Sequence, residues 1–113
     1  MDRGSIVLVA AKGDYGKPRP AVVVQDSRMA AIVGSITVCF LTTDLTDKHE
    51  TLRVNVSPQE ANGLRQRSQV QVEKVMTFPR DKVRGPIGRL EYDEMRAVEF
   101  GQMVHLGLAA QLA

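Results

Sequence analysis

Short runs of β-branched residues, cut apart by glycine, proline and polar clusters, fill most of this chain, and only its last stretch carries helical spacing. Such a pattern cannot build a helical bundle or a regularly alternating α/β fold. It predicts a small, mainly β domain finished by one helix. Residues 5–11 (SIVLVAA) form an apolar run of strand length. Residues 12–20 (KGDYGKPRP) hold two glycines and two prolines and read as a loop. Residues 21–25 (AVVVQ) are a second strand, 26–34 a loop or broken turn, 35–41 (SITVCFL) a third strand and 52–56 (LRVNV) a half-buried fourth. Ser57-Pro58-Gln59-Glu60 has the serine cap, first-position proline and returning glutamate of a helix start, and Gly63 stops that helix after little more than a turn. Residues 68–77 alternate through Val70, Val72 and Val75 as a fifth strand, and 85–90 make a short sixth. Over 92–112, Met95, Val98, Met103, Leu106 and Ala109 recur at helical spacing, and Gly101 and Gly107 permit close packing there.

A length of 113 residues suffices for one compact domain, so 1–113 reads as a single unit. Aromatics make up only 4%, which leaves the core to aliphatic side chains. Five or six strands and a terminal helix point to a small β-barrel, closed or flanked by the helix, an arrangement that removes exposed strand edges. Cys39 is the only cysteine, so no internal disulfide can form, and neither it nor His49 and His105 stands at zinc-ligand spacing. No metal or other cofactor is expected. No apolar run reaches the roughly 18 residues of a membrane span, and the first residues lack a signal-peptide pattern, so a cytoplasmic protein away from membranes is expected.

The formal net charge of +2 is too small to indicate a nucleic-acid partner by itself. Its distribution says more, because seven bases lie between residues 65 and 89 against two acids, Glu73 and Asp81. Three short segments could carry chemistry. Pro18 and Pro20 hold Arg19 stiffly, so that its guanidinium could stabilise charge building on a phosphate, or pair with an acid at the strand end. Thr42 and Thr43 leave the third strand, where a hydroxyl can bond a phosphate oxygen or cap a turn. Gln71 and Glu73 share the face opposite Val70 and Val72, and Glu73 is either a general base or a solvated glutamate beside a neighbouring base. Tyr15 could stack on a nucleobase or simply sit exposed on its loop. No nucleophile elbow, zincin, phosphate-loop or dinucleotide motif is present.

Taken in chain order, several blocks resemble the MazF/PemK/Kid family of ribonuclease toxins. They are Arg3-Gly4-Ser5-Ile6-Val7, Arg19-Pro20-Ala21-Val22-Val23-Val24, Phe40-Leu41-Thr42-Thr43, Asn62-Gly63-Leu64 with Ser68-Gln69-Val70, and Val75-Met76-Thr77 with Pro79-Arg80-Asp81-Lys82-Val83. Gly88-Arg89-Leu90 then leads into the final helix, so the resemblance spans nearly the whole chain. It implies an SH3-like barrel, a homodimer, a cognate antitoxin, and metal-independent, sequence-selective cleavage of single-stranded RNA. The RNA's own 2′-OH would be the nucleophile, leaving 2′,3′-cyclic phosphate and 5′-OH ends. The resemblance places Arg19 and Thr42 at the scissile phosphate and Glu73 as a third catalytic residue. Tyr15, Lys17, Thr43, Gln71, Arg80 and Arg84 are then the expected RNA contacts. Gln71 departs from the family, some of whose members carry an arginine two residues before the carboxylate. Two other readings stand beside this one. A gyrase poison of the CcdB type shares the barrel but relies on a Trp-Gly-Ile ending, whereas this chain ends Ala110-Gln111-Leu112-Ala113. A barrel that binds RNA or protein without cutting is the other.

Overall fold

In the computed structural model, which describes residues 1–10 and 17–108, the β-branched runs become six strands. They are β1 (Ser5–Val9), β2 (Arg19–Val23), β3 (Ser35–Thr42), β4 (Arg53–Val56), β5 (Ser68–Pro79) and β6 (Val83–Arg89). One antiparallel sheet holds them in the order β4-β5-β3-β2-β1-β6. Only residues 80–82, a single 3₁₀ turn, join β5 to β6, although three strands separate the two in the sheet. A flat sheet would hold those strands roughly 19 Å apart at the usual spacing. The sheet therefore curls, and that curl explains why both faces of the central strands are apolar. One face buries Val7, Ala21, Val23, Val38, Phe40 and Val83 inside the curl. The other buries Ile6, Val22, Leu41, Val70 and Val72 around Val98 of α2 (Tyr92–His105).

The barrel expectation needs loosening, because the sheet does not close and β4 and β6 remain its edges. β4 is only four residues long, and β6 carries Pro86, which has no N–H to offer a stray strand. β2 starts two residues earlier than its valine run suggests, so Arg19 and Pro20 pair with Val9 and Leu8. The segment read as a loop over 26–34 is α1 (Ser27–Val33). Asp26 caps it by accepting from the Arg28 N–H at 2.8 Å, and Gly34, at φ +69°, ends it with an N–H donated to the Ala30 carbonyl. The helix expected after Ser57 is only a turn. Asn62 pins it by donating from Nδ2 to the Ser57 carbonyl and accepting at Oδ1 from the Gln59 and Leu64 N–H groups. A capping box forms instead at the start of α2, between Glu91 and Glu94. That helix ends at His105 and not at 112. Its buried line is Val98 and Gly101, whereas Leu106, expected in the apolar stripe, is 60% exposed. Ala109 lies outside the described residues. Val75 is also exposed, just past the bulge where β5 slips register against β3. No helix among the described residues is long and apolar enough to cross a membrane.

Candidate active site

β2 and β3 pair through Ala21 with Phe40, Val22 with Cys39 and Val23 with Val38. Continuing that register two residues sets Arg19 opposite Thr42. β3 in turn pairs Thr42 with Gln69 of β5, and β4 pairs Asn55 with the same Gln69. Arg19, Thr42, Gln69 and Asn55 thus form one row across four neighbouring strands, and cross-strand partners project from the same face.

Arg19 and Thr42 line a single hollow of about 200 Å³ together with Pro20, Leu41, Thr43 and Ser68. The Arg19 guanidinium carbon lies 4.4 Å from the centre of the Phe40 ring, and that ring meets Phe78 edge-on at 5.9 Å. Phe40 belongs to the core inside the curl, so the guanidinium rests on a rigid aromatic floor. The ion pairs formed among the described residues are Arg3–Glu99, Arg28–Asp26 and Arg96–Glu99, so none of them uses Arg19 and the strand-end acid does not appear there. The turn-capping role of Thr42 is present in the structure. Its Oγ1 accepts from the Asp44 N–H at 3.0 Å, capping the turn, and its own proton stays available to a ligand oxygen.

The remaining expected residues are distributed unevenly. Thr43 is exposed on the rim of the hollow, and Lys17 is exposed just ahead of β2. Tyr15 lies outside the described residues. Gln71 is half-buried, and its cross-strand partner is Arg53, so a guanidinium stands opposite that position from the next strand. Glu73 is half-buried two residues on, beyond the residues that line the hollow, with no hydrogen bond or ion pair to another described residue. Arg84 pairs with Leu8, whose other neighbour is Pro20, and so lies on the face opposite Arg19. Arg80 is exposed in the β5–β6 turn, outside the hollow. Ser68, Gln69, Arg53 and Asn55 are not among the site residues expected from the sequence. The available signal was the alternation Arg53-Val54-Asn55-Val56, which sets two polar side chains together on one face.

Elsewhere the chemistry is quiet. The Cys39 thiol donates to the Val72 carbonyl and accepts from Gln102 Nε2, and burial pushes its pKa up to about 11. A hollow of about 520 Å³ beside the start of α2 includes Arg3 and Arg96, but both are engaged by Glu99. Among the described residues no group of three or more His, Cys, Asp or Glu side chains is placed to hold a metal ion.

A family model described as "PemK-like, MazF-like toxin of type II toxin-antitoxin system" matches residues 2–101. A curated relative, "Probable endoribonuclease MazF" of Mycolicibacterium smegmatis, is 40% identical over 110 residues, covering 96% of this chain and 99% of that protein. The solved structure "Mycobacterium tuberculosis toxin MazF-mt6" superposes with a TM-score of 0.77 at 22% identity, over 92% of this chain and 97% of that one. A mycobacterial endoribonuclease in complex with its cognate antitoxin gives 0.78 at 18% identity, with 96% of each chain covered. A MazE-MazF complex from Deinococcus radiodurans gives 0.78 at 18%, over 96% of this chain and 97% of that one. At these identities the structural likenesses speak to the fold.

Proposed function

This chain belongs to the PemK-like, MazF-like toxin family, and from that premise we propose that it is the toxin of a type II toxin–antitoxin pair, an endoribonuclease that cuts single-stranded RNA at the Arg19–Thr42 hollow. The observation that carries this reading is that Arg19, its guanidinium laid on Phe40, and Thr42 line the same small hollow.

The reaction needs three services. RNA supplies the nucleophile, its 2′-OH, which attacks the adjacent phosphorus. The 2′-O–P bond forms, the P–5′-O bond breaks, and the products are a 2′,3′-cyclic phosphate and a 5′-OH. Arg19 stabilises the negative charge that gathers on the phosphorane oxygens, and Phe40 fixes it there before the substrate arrives. Thr42, with its oxygen held by the Asp44 N–H, donates its proton to a non-bridging phosphate oxygen and so orients the group. Glu73 is the candidate base for the 2′-OH proton, and the departing 5′-oxygen takes its proton from water to become the 5′-OH. Glu73 would need the RNA, or a shift of the β5 bulge, to bring it within reach of the hollow. Lys17 and Thr43 beside the hollow, and Arg67 in the neighbouring one, supply phosphate contacts, which makes binding salt-dependent. The partners are a cognate antitoxin, as in the related complexes, and a second copy of the chain, and the place of action is the cytoplasm.

The test is a short single-stranded RNA and its DNA counterpart, each incubated with the protein in EDTA. RNA should be cut and DNA left intact, because DNA lacks the nucleophile. Arg19→Ala should slow cleavage by about 10²–10³-fold, the usual effect of removing one transition-state donor. Full activity in Arg19→Ala would remove that residue from the mechanism. Intact RNA with the wild-type protein would favour a binding module, and poisoning of gyrase in its place would favour the CcdB-type reading.

A further inference from the structure

Beyond Thr42 the polar row continues to Gln69 and Asn55, where a second hollow opens on the same face. Gln69 is buried, yet every capacity of its amide is used. Its Oε1 accepts from the Thr46 N–H at 3.1 Å and from Arg53 Nη1 at 3.0 Å. Its Nε2 donates to the Thr46 carbonyl at 2.8 Å and to Asn55 Oδ1 at 2.9 Å. Gripping both backbone groups of Thr46, the side chain acts as one more strand residue and fixes the loop that follows Thr42. Arg53 adds a second brace by donating to the Asp44 carbonyl at 3.1 Å.

That network also decides what the hollow offers. With Asn55 Oδ1 taken by Gln69, the Asn55 Nδ2 protons reach no acceptor among the described residues. Asp47 shares the hollow, and its carboxylate engages no other described side chain. Two contiguous spaces of about 520 and 340 Å³ share Thr46, Asp47, Asn55 and Gln69, a size range suited to a small ligand. The first space adds Leu45, an apolar wall, and Arg67, while the second adds Arg53 and a second carboxylate, Glu50.

Resting on the reading of this chain as an RNA-cutting toxin, we propose that the Asp47–Asn55 hollow is a base-reading subsite for guanine. A carboxylate accepts best from two adjacent N–H groups, and guanine alone among the RNA bases presents such a pair, N1–H beside N2–H₂. O6 follows on the same edge and takes the Asn55 Nδ2 proton. Leu45 covers the ring face, and the flanking guanidinium groups neutralise a phosphate of the same strand. Asn55 stands two strand spacings from Thr42, roughly 10 Å, so the base belongs to a nucleotide neighbouring the one that is cut. An acidic peptide is a poor fit, because Asp47 would repel it.

Cleavage ends mapped on one long RNA test the assignment. The wild-type protein should show guanine enriched at one fixed position beside the cut. Asp47→Asn, an exposed and nearly isosteric change, should reduce that enrichment by about tenfold or more at that position alone, the scale of one lost bidentate base contact. Asn55→Ala should lower the same preference, raising KM on the guanine substrate more than it lowers kcat. No guanine at any fixed position, or unchanged enrichment in Asp47→Asn, overturns the subsite while leaving the ribonuclease reading intact. No cutting of any RNA by the wild-type protein overturns the ribonuclease reading, and the subsite with it.

Discussion

Gly101 lets α2 lie close against Thr51 and Val72, and replacing it with alanine sets two physical effects against each other. Alanine favours the helix over glycine by about 1 kcal/mol. A Cβ built on Gly101, however, would stand 2.4 Å from the Thr51 carbonyl oxygen, 3.0 Å from Val72 Cγ1 and 3.4 Å from Val72 Cγ2. Ordinary contact begins near 3.4 Å, so α2 or the 3₁₀ turn at Glu50–Leu52 must withdraw by about 1 Å. Neither obstacle is a flexible chain end: one is backbone and the other a fully buried β-branched side chain. Overpacking of that kind falls at the upper end of a range of about 1–3 kcal/mol. The net expectation for Gly101→Ala is a loss of about 1–2 kcal/mol, read as a melting temperature lowered by roughly 4–8 °C for each kcal/mol. Far-UV circular dichroism melts at neutral pH measure it. Ala97→Gly, on the exposed side of the same helix, is the companion measurement and should lose about 1 kcal/mol through propensity alone. Opposite substitutions on one helix should therefore both destabilise. A Gly101→Ala protein that melts at or above the wild-type temperature would refute the close approach of α2 to Thr51.

Replacing Gln69 with leucine keeps its bulk but strands the Thr46 N–H, the Thr46 carbonyl and the Arg53 guanidinium. A loss of about 2–3 kcal/mol is expected, with faster hydrogen exchange at the Thr46 amide, and an unchanged urea midpoint would remove Gln69 as the brace of that loop. Asp26 is held down to about 2 by its hydrogen bonds to Arg28, below its ordinary value of 3.8. A depressed carboxyl adds stability that is complete above its unfolded value and fades as pH falls from 3.8 towards 2. Asp26→Ala should consequently melt lower than wild type at pH 7, with the gap closing near pH 2, and a gap that persists there would show that the cap acts without its charge.

Much of this arrangement was legible in the residues, for identifiable reasons. Alternation in Ser35–Thr42 and Ser68–Pro79 places strands because one face of each must be apolar, and the prolines around Arg19 mark a stiff approach to the next strand. The helix over Ser27–Val33 was missed although both of its ends were signalled by Asp26 and Gly34. Its only buried residue is Ala30, so no apolar stripe rises above the exposed Ile32 and Val33. The short helix wrongly expected after Ser57 had a good start, but the Asn62 side chain competes for the same backbone groups. The Arg19–Thr42 pairing followed from a resemblance and not from spacing, since register between strands more than ten residues apart is written in the packing. Gln69 could not be found from sequence for the same reason, because the three residues its side chain bonds lie 14 to 23 positions away.

The side chain that steadies the loop after Thr42 is made twenty-three residues later in the chain than Thr46, the residue it grips. A nascent polypeptide that has emerged only as far as β4 already carries Arg19 and Thr42, yet its Thr42 loop lacks the amide that holds it. The loop that follows Thr42 is therefore braced only once β5 has threaded between β3 and β4, so the order of the strands in the sheet, and not their order in the chain, decides when that loop is fixed.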